Sequence, residues 1–249
     1  MIDNFRGRSF RALPWARAIV IFGGMFMADQ GLSLAEAPTG RISEYQIESR
    51  GFRVGGMKTS QQPMLRDGRP AIRFRSTMAI SASFLFFSKK SSSSDDAVVG
   101  DSGTVAYRHA SLTDGRTKEV VAHFTDGQTQ LQITEHYGKP RSIIFRRESY
   151  DFTTMDCPEM SLLRPGDERE IRLLDLENAR VVKRKYHWRK NEEMSIDNRK
   201  IVCRVIDFED PDNRCRRWIT QDERGVLIVR QEGKSRSGSY LLSMTGLRE

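Results

Sequence analysis

Along most of this 249-residue chain, apolar and polar side chains alternate with a period of two, in short runs separated by turn-forming dipeptides. Successive side chains of a strand point to opposite faces of a sheet, so the alternation marks half-buried strands. It predicts strands at Ile42 to Ser49, Arg69 to Met78, Ser83 to Lys89, Val105 to Ser111, Glu119 to Thr125, Gln130 to His136 and Ser142 to Glu148. Further strands are expected at Glu170 to Asp175, Val181 to Arg189, Arg199 to Phe208, Arg214 to Gln221, Val226 to Gln231 and Ser239 to Met244. Between runs stand Asp67-Gly68, Asp114-Gly115, Asp126-Gly127 and Arg224-Gly225. Asp-Gly supplies the positive φ of a tight hairpin, so neighbouring strands are expected to pair antiparallel as a meander.

Helical periodicity is scarce. The best window is Thr153 to Leu163, where Thr154 or Asp156 caps and Pro158 falls in the first turn; Arg164-Pro165-Gly166 stops it. The fold class is therefore mainly β, one large curved antiparallel sheet with one short covering helix. A doubly wound nucleotide-binding fold is disfavoured, because strands do not alternate with long helices. Phe84-Leu85-Phe86-Phe87 places large apolar groups on both faces of its expected strand, so both faces need cover there. Ser91 to Ser94, followed by Asp95-Asp96, reads as a loop tip, and Gly51 to Gly56 as the turn between the first two strands.

The first 35 residues have a different pattern. Arg6, Arg8, Arg11 and Arg17 precede an apolar stretch of 11 residues, Ala18 to Ala28. That length suits a secretory signal and falls short of the ~20 residues that span a bilayer. Small residues at Ser33 and Ala35 place the expected cut after Ala35, leaving residues 36–249 as a single β domain in the periplasm; an uncleaved anchor is the competing reading. With 38% hydrophobic residues the chain can bury a real core, which excludes disorder throughout. Its net charge of +8 comes from interleaved signs, the pattern of a solvated surface. Only Lys183 to Lys185 with Tyr186 and Trp188 combines bases and aromatics as nucleic-acid binding would need, and it alternates as a strand does, so no nucleic-acid partner is expected.

Chemistry offers little. His109, His123, His136 and His187 fall in separate expected strands without ligand spacing, and no nucleophile elbow, phosphate loop or dinucleotide fingerprint occurs. No metal, cofactor or catalytic residue is expected, and an enzyme is not. Cys157, Cys203 and Cys215 would enter an oxidising compartment. If Glu209 pairs with Arg214, Cys215 faces Phe208 and Cys203 lies roughly 16 Å away, beyond the ~4.4–6.8 Å between Cα atoms that a disulfide spans. One disulfide with one thiol and three buried thiols are both open, and a bridge, where one forms, is expected to join Cys157 to Cys203 or to Cys215.

From Phe84 onward, the order of features resembles a family of uncharacterised exported bacterial domains, broadly similar to the half-open β-barrel of periplasmic lipoprotein carriers. The matching residues are Phe84, Phe86 and Phe87, then Thr113, Asp114, Gly115 and Arg116, then Trp218, Gly225 and Leu227. Arg116 stands where the family pattern has lysine, and the pattern does not call for Cys203 or Cys215. The resemblance implies a half-open barrel and transfers no catalytic residue. Together with expected export and missing catalytic groups, the two-sided apolar run points to a protein holding a lipid or other apolar ligand in the concave face, lined by Phe74, Phe84, Phe86 and Trp218. The alternative is an envelope assembly factor working through protein contacts, with Val181 to Trp188 as an exposed strand for a partner; peripheral membrane contact fits either.

Overall fold

The computed structural model describes the backbone of residues 40–84, 87–235 and 238–249, and their side chains outside 82–89 and 235. The expected export segment, residues 1–35, lies outside the described residues. The first strands are β1 (Arg41–Ser49), β2 (Phe52–Arg66), β3 (Arg69–Phe84), β4 (Phe87–Gly100), β5 (Gly103–Thr113), β6 (Arg116–Phe124), β7 (Gln128–Glu135) and β8 (Arg141–Arg146). After the short β9 (Phe152–Thr153) come β10 (Glu168–Asp175), β11 (Arg180–Ile196), β12 (Arg199–Glu209), β13 (Asn213–Asp222), β14 (Gly225–Ser235) and β15 (Gly238–Arg248). All belong to one curved, open sheet, a half-open barrel in the order β8-β7-β6-β5-β4-β3-β2-β1-β15-β14-β13-β12-β11-β10-β9.

The chain runs as two meanders joined through its first and last described strands: β1 pairs with β15 in the middle of the sheet, Ile47 opposite Leu242. Bulges at Glu44/Tyr45, Ile47/Glu48, Val98/Val99, Trp188/Lys190 and Trp218/Ile219 bend the strands and increase their twist. The curl is deep enough to bring the two ends of the sheet into one core. Leu131 and Ile133 of β7 share a cluster with Leu174 of β10 and with Leu176, all but fully buried. A second cluster surrounds Tyr45, Ile47, Trp218 and Leu242, and a third gathers Tyr186, Trp188, Ile206 and Phe208. At Gly233 the curvature needs a missing side chain, because a Cβ there would fall 2.0 Å from the ring of its cross-strand partner Tyr240.

The Asp-Gly turns behave as their chemistry demands. Asp67 and Gly68 have φ of 51° and 74°, Asp114 and Gly115 have 49° and 81°, and each pair closes a two-residue hairpin. Four expectations are corrected. Ser83 to Lys89 is not a strand of its own: Phe84 ends β3 and pairs with Phe87, the first residue of β4. Ser91 to Asp96 is not a loop tip but the middle of β4, paired on both sides. The turn expected over Gly51 to Gly56 is confined to Arg50 and Gly51, and β2 takes the rest. The helix expected over Thr153 to Leu163 shrinks to a single 3-10 turn at Pro158–Ser161, because Thr153 ends β9, paired in parallel with β10, and Cys157 takes a left-handed conformation that no helix continues through.

Candidate functional site

Between the concave face and the segment 154–160 lies a cavity of about 250 Å³. Its walls come from β1 to β4 on one side (Tyr45, Met57, Ile72, Phe74) and from β13 to β15 on the other (Arg217, Val226, Ile228, Leu242). The cross-strand register explains the shared inner face: Tyr45 opposes Met57, Gln61 opposes Phe74, and Gln231 lies between Arg217 and Leu242. Met155, Cys157 and Met160 close the cavity from the covering segment.

That cover is tied down at both ends. Asp156 accepts hydrogen bonds at Oδ1 from the Thr104 amide at 2.8 Å and its hydroxyl at 2.5 Å, and at Oδ2 from the Thr153 amide at 2.6 Å. Thr154 N donates to the Leu174 carbonyl. Cys157 takes a left-handed conformation, φ 47°, which turns the chain into the 3-10 turn. Beyond it, Glu159 ion-pairs with Arg217, and Arg204 donates to the Leu162 carbonyl at 3.1 Å. Burial pushes the Cys157 thiol up to about 12, with Glu159 adding to the effect, so the thiol facing the cavity is a neutral S–H.

Polar groups on the wall are mostly engaged. Gln61 accepts from Arg41 and donates to the Val226 carbonyl at 2.8 Å, while Arg41, 2% exposed, also binds Asp222 at 2.7 Å. Gln231 accepts from Arg217 Nε at 2.6 Å and donates to the Tyr240 hydroxyl. Arg217 donates through Nη1 to Glu159, itself 1% exposed, and stacks over Phe208 at 4.9 Å.

Of the four expected lining residues, Phe74 is on the cavity wall. Trp218 is buried in the cluster around Tyr45, under the Arg230 guanidinium, and is not among the lining residues. Phe84 ends the same strand as Phe74, ten residues and roughly 33 Å along it; its side chain and all of Phe86 lie outside the described residues. Of the two states open for the cysteines the structure has the unbridged one: Cys157, Cys203 and Cys215 are all free thiols, and the candidate bridge from Cys157 is not formed. Cys215 opposes Phe208, as its register required, and its sulfur faces the Tyr240 hydroxyl at 3.7 Å, while Cys203 packs in a different cluster. Val181 to Trp188, expected as a free strand for a partner, is paired with β10 and with β12. Its bases are ion-paired, Lys183 with Glu170 and Lys185 with Glu168, and Tyr186 and Trp188 are in the core. Among the described residues no cluster of three or more His, Cys, Asp or Glu is arranged to hold a metal.

Sequence reasoning missed a second polar site, because it took the serine-acid tract for a loop. Asp95, 1% exposed, accepts at Oδ1 from the Tyr107 hydroxyl at 2.8 Å and bonds His109 Nδ1 at 2.5 Å. Burial works to lower the His109 pKa, but the Asp95 hydrogen bond and charge outweigh it and the value is raised. Nearby, burial with help from Asp175 and Asp95 raises Glu177 to about 7, against the opposing charges of His109 and Lys118. Both groups hold a proton in the folded state over a range where the unfolded chain has released it. Their contributions are complete at low pH and are lost as pH rises, Glu177's from about 4.5 to 7 and His109's from about 6.5 upward. The carboxylates held low by arginines, Asp151 by Arg172 and Asp207 by Arg216, act in the opposite sense only at more acid pH. Urea midpoints are therefore expected to fall between about pH 5 and pH 7.5, by on the order of 2 kcal/mol in unfolding free energy. A Glu177→Gln variant should flatten the lower half of that slope; an unchanged slope would refute the assignment.

No family model and no curated protein matches the chain. Among solved structures it is similar to the crystal structure of a beta-barrel-like protein of the domain of unknown function DUF1849 from Brucella abortus. The TM-score is 0.58 at 11% sequence identity, covering 84% of this chain and 96% of that one. At this identity the likeness is one of fold, that of a β-barrel-like domain.

Proposed function

We propose that this chain is an exported, non-enzymatic binding protein that holds a small apolar ligand in the concave face of its half-open barrel. The observation that carries the reading is the cavity of about 250 Å³, walled by Ile72, Phe74, Met155, Met160, Val226 and Ile228 and roofed by an anchored segment. Apolar enclosure with a few placed polar groups is the usual make-up of a ligand site. The volume lies just under the ~300–1,000 Å³ of drug-sized sites, so the ligand is a short chain or a small ring. Export and the periplasm rest on the arginine-flanked apolar segment before Ala35. Protein isolated from the envelope of expressing cells should begin at Glu36, and organic extraction followed by mass spectrometry should return an apolar molecule near one per protein. A clean apo mass, with no chemical-shift change at the Met155 and Met160 methyls on adding small apolar probes, would remove the reading.

A second reading, an assembly factor, is favoured by one observation. β8 is an edge of the sheet, paired only with β7 among the described residues, and its Ile144 is 57% exposed. Such an edge can accept a partner's strand. Crosslinking through position 144 in intact cells should then capture one stoichiometric protein, which the binding reading does not require.

A further inference from the structure

The charges around the cavity specify the head group its ligand carries. Arg217 is the lining cation, and Nε and Nη1 of its guanidinium are taken by Gln231 and Glu159. Among the described residues the hydrogen bonds of Arg217 engage Nε and Nη1, which leaves the Nη2 donors of this lining group for a ligand. The amides beside it are held at both ends, Gln61 between Arg41 and the Val226 carbonyl, Gln231 between Arg217 and Tyr240. The Arg217 charge is already matched by Glu159. A further carboxylate, Asp156, stands on the wall, and Arg41 is balanced by Asp222. The one lining cation among the described residues is thus already ion-paired, and the one lining carboxylate, Asp156, shares the apolar space with it.

An entering carboxylate would lose its hydration, gain no unmatched positive charge and meet the field of Asp156 and Glu159. A neutral carbonyl oxygen loses far less on leaving water and can accept from Arg217 Nη2 without disturbing the ion pair. We propose that the cavity selects a neutral carbonyl compound with a short apolar chain, such as a ketone, ester or amide, over the free carboxylic acid, with Arg217 as the donor to its oxygen. This rests on the reading of the cavity as a ligand site. The volume of about 250 Å³ is that of some eight water molecules at ~30 Å³ each, room for about eight or nine non-hydrogen atoms.

Titrations of the purified protein with 2-octanone and with heptanoate, matched in size, test the choice of head group near pH 7.5 by calorimetry and by the Met155 and Met160 methyl signals. The expected result is binding of 2-octanone with heptanoate at least tenfold weaker. The Glu159→Gln/Arg217→Met double variant, which removes both charges together, should weaken 2-octanone at least fivefold. Equal or tighter heptanoate binding, or unchanged 2-octanone affinity in the double variant, overturns the inference and leaves the cavity reading standing. Failure of both ligands to bind or to shift the methyl signals overturns both. If the double variant does not fold, the two ligands on the unaltered protein still decide.

Discussion

Arg217→Met is expected to lower the unfolding free energy by about 3–5 kcal/mol, among the largest single-residue effects in the protein, because it strands the Glu159 carboxylate in the core. Glu159 is 1% exposed, and Arg217 is its ion-pair partner. The loss should appear as a lower urea midpoint at unchanged slope. Glu159→Gln/Arg217→Met should recover most of it, since removing both charges leaves no uncompensated ion. A single variant within about 1 kcal/mol of the parent, or a double variant no better than the single, would show that the pair does not hold the cover onto the barrel. The cover is where this pair acts, for Glu159 sits in the 3-10 turn and Arg217 on β13.

A comparable loss, again about 3–5 kcal/mol, is expected for Asp95→Ala, which leaves the Tyr107 hydroxyl and the His109 ring without their shared acceptor. Its second readout is electrostatic. With Asp95 present the His109 pKa is raised above the ordinary imidazole value; without it burial acts with little opposition, so the NMR titration of His109 should move below that value. A His109 titration that stays raised in the variant would assign the effect to another group. Because a raised histidine stabilises the fold at low pH and loses that contribution as pH climbs, the variant should also be less sensitive to pH above about 6.5.

Much of the sheet was legible because its signals are local. Asp67-Gly68 and Asp114-Gly115 need only their own backbones to form a hairpin, and the strands around them alternate over a few residues. Errors arose where a local signal admits two structures. Ser91 to Asp96 has the composition of a loop, but as part of β4 it puts Asp95 inside, where Tyr107 and His109 meet it, and leaves Asp96 to Arg73 and Arg75. The run from Phe84 to Phe87 reads as apolar as a buried strand, yet Phe84 ends one strand and Phe87 begins the next. The candidate site was legible only at Phe74. Arg216 and Arg217 are the same residue type side by side; the pleat sends one to Asp207 at the surface and the other to Glu159 in the core. Which one goes inward follows from the register with β12, set by the turn that closes at Glu209 and Arg214, and with β14, which a bulge at Trp218/Ile219 interrupts and composition does not mark.

By itself the sequence determined a mainly β chain of hairpins with a sparse helical element, because alternation and turn chemistry act between residues close along the chain. Only the tertiary structure decided that β1 lies against β15, that the sheet curls until Leu131 and Leu174 share a core, and that Glu159 of the cover meets Arg217 of β13. These pairings join residues separated by tens to hundreds of positions. Their partners are chosen by curvature and by matching buried charge, which no local pattern encodes.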